Sequence, residues 1–258
     1  MQDLDVTLVQ ATLRWREPAE NRAHLQRLVL EADTAADLVV LPETFTTGFL
    51  GDAGTEAERM DGETVAWMRD LARASRAAVC GSLVVDDGGV RYNRFVFVPP
   101  EGPLRHYDKR HLFAHGGEDD RFAAGKERVV FEWRGWRICP QVCYDLRFPA
   151  WCRNRGDYDL QLFVANWPDR RIRAWDVLLQ ARAIENQACV VGVNRVGADG
   201  NGKLYPGHSA AYDALGEALV AMGEAEGCAT VRLDAGRLAE VRDRLPFLAD
   251  ADAFELLG

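Results

Sequence analysis

Residues 138–149 read ICPQVCYDLRFP, an apolar strand that ends abruptly in polar and ionisable side chains. A buried strand holds its end rigidly, and the loop that follows it can face a substrate. A structural cysteine is usually inert and lies within a strand. Cys143 instead comes just past the strand, among Tyr144, Asp145 and Arg147. We therefore predict that Cys143 is exposed and available for chemistry.

Similar apolar runs alternate with helical patterns along the chain. The run 38–41 has no polar face, as expected of a strand that is covered on both sides. Further apolar runs predict strands at 6–10, 77–85, 93–98, 129–133, 136–142, 160–165 and 189–193. Apolar residues at helical spacing predict helices over 18–32, 62–76 and 174–187. Because strands and helices interleave, the sequence favours an α/β fold of mixed sheets covered by helices.

Two of the intervening segments have the composition of turns or loops. Asp86-Asp87-Gly88-Gly89 predicts a hairpin turn. A glycine-rich loop is expected from Gly197 to Gly207. The chain has no linker, low-complexity tract or convincing repeat, so we expect residues 1–258 to form a single domain.

Composition and charge narrow the classes of partner. The chain has 258 residues, of which 48% are hydrophobic and 28% charged, a globular balance with enough length for a sizeable core. The formal net charge of −9 makes nucleic acid and anionic membrane surfaces unfavourable partners. No apolar run approaches the ~18 residues that span a bilayer.

The six cysteines are better interpreted as thiols than as disulfides. The N-terminal residues lack the basic and apolar regions of a secretion signal, so we expect a reducing, cytoplasmic location. The cysteines form no Cys-x-x-Cys pair, so no metal site is expected.

Two other segments place ionisable groups beside apolar residues. Glu43 directly follows the buried run, in VLPETF at 40–45. Glutamate is almost never fully buried without a partner, so Glu43 must be solvent-facing, paired or catalytic. The segment HYDKRHLF at 106–113 is interpreted either as a solvated charge cluster or as a functional segment.

These three segments together resemble the signatures of the nitrilase superfamily of carbon–nitrogen hydrolases. PETF at 42–45, YDKRHLF at 107–113 and CYDLRFP at 143–149 occur in that family's order and at similar intervals. The resemblance extends over nearly the whole chain, since ANWP at 165–168 and ARAIENQ at 181–187 also look like family blocks. Within the superfamily the chain is most similar to the omega-amidases, which hydrolyse the terminal amide of small dicarboxylic monoamides such as 2-oxoglutaramate and succinamate.

The resemblance implies a fold, an oligomeric state and a class of substrate. The implied fold is a four-layer α-β-β-α sandwich with two stacked mixed sheets, formed by one carbon–nitrogen hydrolase domain over 1–258. The family also implies a homodimer that needs no cofactor and no metal. Its partner would be a small amide substrate.

Amide hydrolysis gives each matching residue a role. A thiolate is a strong nucleophile once its proton is removed, which makes Cys143 the candidate nucleophile. Glu43 can accept that proton and return it to the departing ammonia. Lys109 and the backbone N–H of Tyr144 can stabilise the negative charge that forms on the carbonyl oxygen. Water would then cleave the thioester, with Glu43 as the base.

Supporting and binding residues are less tightly specified. The family has a second glutamate that braces the lysine, and Glu118 is our match, although Asp119 and Asp120 adjoin it. Arg147 suits a substrate carboxylate through bidentate hydrogen bonds, and an ion pair within the structure is the alternative. Trp167 either walls the pocket or belongs to the core. Three further arginines could bind the carboxylate instead: Arg170, Arg171 and Arg173.

Two alternative functions stay open from the sequence. The chain could be another hydrolase of the same superfamily that acts on a nitrile or an N-carbamoyl amino acid, because pocket shape decides the substrate. It could also be a non-catalytic oligomeric scaffold that retains the fold. The presence of Glu43, Lys109 and Cys143 argues against the scaffold.

Overall fold

Fourteen strands and five α-helices occur in the computed structural model, which describes residues 1–32, 35–50 and 56–256. The strands are β1 (Leu4–Gln10), β2 (Leu38–Val40), β3 (Ala78–Asp87), β4 (Val90–Val98), β5 (Arg105–Asp108), β6 (Phe131–Trp133), β7 (Trp136–Val142), β8 (Leu160–Ala165), β9 (Cys189–Asn194), β10 (Val196–Ala198), β11 (Leu204–Pro206), β12 (Ala210–Tyr212), β13 (Ala218–Ala221) and β14 (Gly227–Leu233). The helices are α1 (Pro18–Glu31), α2 (Glu63–Ser75), α3 (Pro149–Cys152), α4 (Ile172–Asn186) and α5 (Ala235–Arg244).

The strands form two six-stranded mixed sheets with matching strand patterns. The first sheet has the order β14-β1-β2-β3-β4-β5, and β1, β2 and β3 are parallel. The second has the order β13-β12-β9-β8-β7-β6, and β7, β8 and β9 are parallel. Antiparallel strands flank the parallel strands in both sheets.

The alternation of side chains along each strand builds four layers. Leu38 and Val40 of β2 pack with Ile138 and Val142 of β7 in a core that lies between the sheets. Val39, whose side chain points the other way, packs in a core with residues of α1 and α2. A third core joins the outer face of the second sheet to α4. These cores confirm the predicted α-β-β-α sandwich.

The parallel strands of each sheet end at one edge and lead into the site. Glu43 follows β2, Cys143 follows β7, and Asn166 follows β8. In open α/β sheets, ligands bind outside the carboxyl ends of parallel strands. The fold therefore brings residues from both sheets to one end of the sandwich.

Two segments differ from the sequence predictions. The charged segment before Lys109 contains β5, an edge strand in which Tyr107 is buried while Arg105 and His106 are exposed. The predicted loop 197–207 contains much of a two-stranded ribbon in which β10 pairs with β11. These strands are too short, or too charged on their open face, to produce a clear apolar alternation.

The hairpin prediction at 86–89 is confirmed. Strands β3 and β4 pair from Val79–Val98 to Asp87–Val90, and Gly88 and Gly89 both have positive φ, at 66° and 89°. Two consecutive residues with positive φ are characteristic of the tight turns that suit twisted hairpins. None of the described helices combines the length and the apolar character that a membrane-spanning segment requires.

Candidate active site

A buried lysine between two glutamates forms the centre of the site. Lys109 Nζ donates to Glu43 Oε1 at 3.0 Å and to Glu118 Oε1 and Oε2 at 2.9 and 2.8 Å. The three side chains are at most 1% exposed. The sequence left Glu43 as solvent-facing, paired or catalytic. The solvent-facing interpretation is wrong, since this carboxylate is buried and paired.

The backbone turns sharply where the strands deliver Glu43 and Cys143. Cys143 has φ 46°, and Thr44, directly after Glu43, has φ 40°. A residue other than glycine in this left-handed region costs of order 1–3 kcal/mol and persists only where its surroundings hold it. Here the chain leaves β7 and enters the 3₁₀ turn Cys143–Arg147 directly.

Two asparagines hold the Glu43 carboxylate. Asn93 Nδ2 donates to Oε1 at 2.8 Å, and the backbone N–H of Asn166 donates to Oε2 at 2.7 Å. Asn166 Nδ2 also donates to the Glu43 carbonyl oxygen at 2.9 Å. Our sequence analysis assigned neither asparagine to the site. Asn93, the amide that opens the predicted strand 93–98, was the available signal.

Glu118 is the acidic residue of its loop that reaches Lys109. It is fully buried, and its Oε2 also accepts a hydrogen bond from the Phe113 amide at 2.7 Å. Asp119 and Asp120 are exposed. Three consecutive acids left the register open in the sequence, and burial distinguishes one of them.

The electrostatics of the cluster fix the resting protonation of two groups. Burial disfavours the Lys109 ammonium, but the charges of Glu118 and Glu43 outweigh that cost and raise the pKa of Lys109. Burial and the charge of Glu43 raise the pKa of the Cys143 thiol well above its ordinary value, and Lys109 only partly opposes them. The thiol therefore keeps its proton at neutral pH, and a base must take that proton when sulfur attacks.

A pocket opens onto Cys143 from the surface. It encloses about 420 Å³ when its open mouth is included. Cys143 lines this pocket and is half-buried, so the predicted exposure is partial. The described lining is Phe49, Lys109, Phe113, Cys143, Tyr144, Arg147, Asn166, Trp167, Pro168, Arg171, Lys203 and Tyr205.

The predicted binding residues occupy this lining to different extents. Trp167 lines the pocket and is also 2% exposed in a core beneath it, so both interpretations of this residue hold. The Arg147 guanidinium lies 4.8 Å from the centre of the Trp167 ring. Of the three clustered arginines, Arg171 lines the pocket, whereas Arg170 and Arg173 are absent from its described lining.

The pocket mouth is cationic although the chain as a whole is acidic. Arg147, Arg171 and Lys203 all line it, and no aspartate or glutamate is among the described lining residues. Arg171 lies over the Phe113 ring at 5.0 Å. Lys203 and Tyr205 reach the mouth from the β10–β11 ribbon, which the sequence analysis took for a loop. This arrangement can bind a small molecule that carries a negative charge.

The described side chains do not form a set of metal ligands at this site. Within the described ranges, no group of three or more His, Cys, Asp or Glu side chains could hold a metal ion. The chemistry that the geometry offers is that of a thiol, a carboxylate and an ammonium around one pocket.

The fold and this site define a class of protein, and the chain belongs to the carbon–nitrogen hydrolase family. The sequence model of that family, described as Carbon-nitrogen hydrolase, matches residues 5–243.

Individual relatives are similar over their full length. The chain is 48% identical over 261 aligned positions to the omega-amidase YafV of Yersinia enterocolitica, covering 100% of both chains. It is 32% identical to the 2-oxoglutaramate amidase of Bacillus subtilis (strain 168), covering 95% of this chain and 96% of that one. The crystal structure of XC1258 from Xanthomonas campestris, a CN-hydrolase superfamily protein with an arsenic adduct in its active site, has a TM-score of 0.96 and 51% identity, covering 99% and 100% of the two chains.

Proposed function

We propose that this chain is an omega-amidase that hydrolyses the terminal amide of small dicarboxylic monoamides, such as 2-oxoglutaramate and succinamate, to the acid and ammonia. One observation carries the proposal: Cys143 lines a pocket whose described lining supplies cations and no acid, beside the buried pair of Lys109 and Glu43. The names of the omega-amidase and 2-oxoglutaramate amidase relatives support the same substrate class.

The first half of the reaction forms a thioester. Cys143 Sγ attacks the amide carbon while its proton passes to Glu43, whose charge is among the causes that raise the pKa of the thiol. Negative charge develops on the former carbonyl oxygen, where Lys109 and the Tyr144 N–H stabilise it. Tyr144 is the second residue of its 3₁₀ turn, and the first N–H groups of a helical turn have no carbonyl partner within it. Glu43 then protonates the nitrogen, the C–N bond breaks, and ammonia leaves.

The second half releases the acid. Water attacks the thioester carbon while Glu43 takes a proton from that water. The C–S bond breaks, the sulfur regains the proton from Glu43, and the carboxylic acid departs. Glu118 supports both halves because its two oxygens hold Lys109 in place and its own hydrogen bond to Phe113 fixes the loop.

A substrate panel tests this function. We expect rapid release of ammonia from succinamate and 2-oxoglutaramate, and little release from a simple nitrile or an N-carbamoyl amino acid. Faster turnover of either of the last two would favour the alternative carbon–nitrogen hydrolase. The scaffold alternative would be supported if no amide were turned over and iodoacetamide labelled no cysteine selectively.

Arg147→Ala is expected to weaken the binding of acidic substrates selectively. A charge-assisted hydrogen bond is worth roughly 1.5–3 kcal/mol, so KM for succinamate should rise about 10- to 100-fold. KM for a neutral amide of the same length should change little, because that substrate has no carboxylate to lose. Steady-state kinetics on both substrates measure this difference.

Arg173→Ala is the matched control for the arginine. Arg173 is exposed and lies outside the described lining of the pocket, so its removal changes the net charge equally without touching the site. Equal losses on acidic and neutral amides in Arg147→Ala would remove Arg147 from the carboxylate role. Arg171 and Lys203 would then be the groups to substitute.

The domain organisation, oligomeric state and cellular location of the protein are part of the same proposal. We infer a single domain over 1–258 that pairs as a homodimer, a state supported by the exposure of Val177 and Ile184 on α4, which are 55% and 51% exposed. A cytoplasmic location is supported by the six cysteines, all of which are free thiols. Sedimentation equilibrium should give twice the chain mass, and a monomer at micromolar concentration would contradict the dimer.

A further inference from the structure

We propose that Asp145 is a positioning residue that holds Lys109 at its working distance from Cys143. This inference rests on the proposed function, because it takes Cys143 and Lys109 as the reacting groups. Asp145 is fully buried, and the partners of its carboxylate oxygens are Val142, Tyr107 and His111, none of which is in the described lining of the pocket. Its position in the chain, two residues after Cys143, ties it to the turn that carries the thiol.

Both oxygens of the Asp145 carboxylate accept hydrogen bonds. Oδ2 accepts from the Val142 N–H at 3.0 Å and from the Tyr107 hydroxyl at 2.8 Å. Oδ1 accepts from the His111 N–H at 2.9 Å and contacts His111 Nδ1 at 2.8 Å. Four polar contacts to one buried carboxylate make this a rigid junction.

The two side-chain partners flank Lys109 symmetrically. Tyr107 comes two residues before Lys109 and His111 two residues after it, and both contact the same carboxylate. Asp145 therefore holds the lysine segment on both sides, while its bond to Val142 holds the end of β7.

The hydrogen bonds of Asp145 join elements that belong to different sheets. Lys109 follows β5 at the edge of the first sheet, whereas Cys143 follows β7 in the second. Apolar packing between sheets is non-directional, so hydrogen bonds such as those of Asp145 and the bond from Asn166 to Glu43 add the directional connections between them. Misplacing a catalytic group by about 1 Å can cost on the order of 10²-fold in rate. A direct hydrogen-bonded connection between the Lys109 segment and the Cys143 segment therefore supplies the positional precision that the reaction needs.

The Tyr107 hydroxyl is suited to act as a permanent donor. Burial, together with the charge of Asp145, raises the pKa of Tyr107 well above its ordinary value, so the hydroxyl keeps its proton. The same oxygen accepts from the Arg110 N–H at 3.1 Å and from Trp151 Nε1 at 3.0 Å. The His111 ring in turn stacks on Phe148 at 3.6 Å, within the segment that follows the nucleophile.

The test compares Tyr107→Phe with Tyr158→Phe. Tyr158 is an equally buried tyrosine whose hydroxyl donates to the Cys152 carbonyl oxygen at 2.7 Å, away from the lysine segment. Both variants lose one buried hydroxyl. Tyr107→Phe should lose more stability in thermal unfolding, because that hydroxyl also accepts from the Arg110 N–H and Trp151 Nε1, so kcat is compared at a temperature at which both variants are fully folded. We expect kcat for succinamate to fall about 10- to 100-fold in Tyr107→Phe alone, with KM within about 2-fold of the parent, because the lysine shifts while the pocket mouth stays intact.

His111→Phe provides the second variant. Phenylalanine keeps a ring to stack on Phe148 but has no Nδ1 to contact Asp145, so kcat should fall again with KM unchanged. Equal kcat in Tyr107→Phe, Tyr158→Phe and the parent protein would overturn the positioning role, as would a loss in His111→Phe that appears only in KM. Cys143→Ala separates the two levels of the account: activity in that variant rejects the proposed function, whereas its inactivity together with a normal Tyr107→Phe rejects only the role of Asp145.

Discussion

Cys143→Ala should lower kcat for succinamate hydrolysis by on the order of 10⁴-fold or more, because loss of a nucleophile removes the covalent route entirely. The substitution removes one sulfur from a half-buried position and leaves the strand and the 3₁₀ turn in place. We therefore expect the thermal unfolding transition to stay close to that of the parent protein. Ammonia release and circular dichroism on the same preparation measure both quantities.

Cys228→Ala is the control for this substitution. Cys228 is also half-buried, but it lies on β14, and its Sγ contacts only the Leu28 carbonyl oxygen among the described hydrogen-bond partners. It should retain full activity. Near-normal turnover in Cys143→Ala would reject covalent catalysis by this residue, and equal losses in both variants would point to damage to the fold.

Lys109→Met should impair both rate and stability. Without the ammonium, the carboxylates of Glu43 and Glu118 are left buried without the cation that bridges them. Breaking a buried ion pair by removing one partner typically costs about 3–5 kcal/mol in the free energy of unfolding. Loss of a donor to the developing oxyanion should lower kcat by a further factor of roughly 10²–10³. Urea denaturation and steady-state kinetics at pH 7 measure the two effects.

The pKa shift of Lys109 gives this stability difference its pH dependence. A group whose pKa is raised on folding contributes its stability fully below the unfolded value of about 10.4, and the contribution falls as pH rises toward the folded value. The ammonium of the parent protein therefore contributes throughout the neutral range. Lys126→Met, at an exposed site, makes the same chemical change and should alter neither quantity. A Lys109→Met variant as stable and active as Lys126→Met would contradict the buried bridge.

The fold class could be predicted from the sequence because the ends of the apolar strands are visible in it. The apolar run 38–41 stops at a proline before Glu43, and the run that ends at Val142 stops before Cys143. Continuous apolar strands interleaved with helical patterns predicted covered mixed sheets, and the structure and its relatives confirm the sandwich and the family. The matching strand order of the two sheets could not be predicted from the sequence, because strand pairing joins segments that lie far apart in the chain.

The parts that sequence reasoning missed depend on contacts between distant segments. Asn93 is buried in β4, and only folding places its amide beside Glu43, 50 residues away in the chain. Lys203 and Tyr205 reach the pocket mouth because a short ribbon carries them there. Glu118 is distinguished from its acidic neighbours by burial against Lys109, which no local pattern encodes.

The mass of the protein trapped during turnover tests the central claim most directly. When the enzyme is mixed with succinamate, acid-quenched and digested, we predict that the peptide containing Cys143 gains the mass of the substrate minus ammonia. Hydroxylamine should remove that adduct, as expected of a thioester. An acyl group on a different residue, or turnover in which the Cys143 peptide never gains mass even when the quench captures the first cycle, would contradict the account.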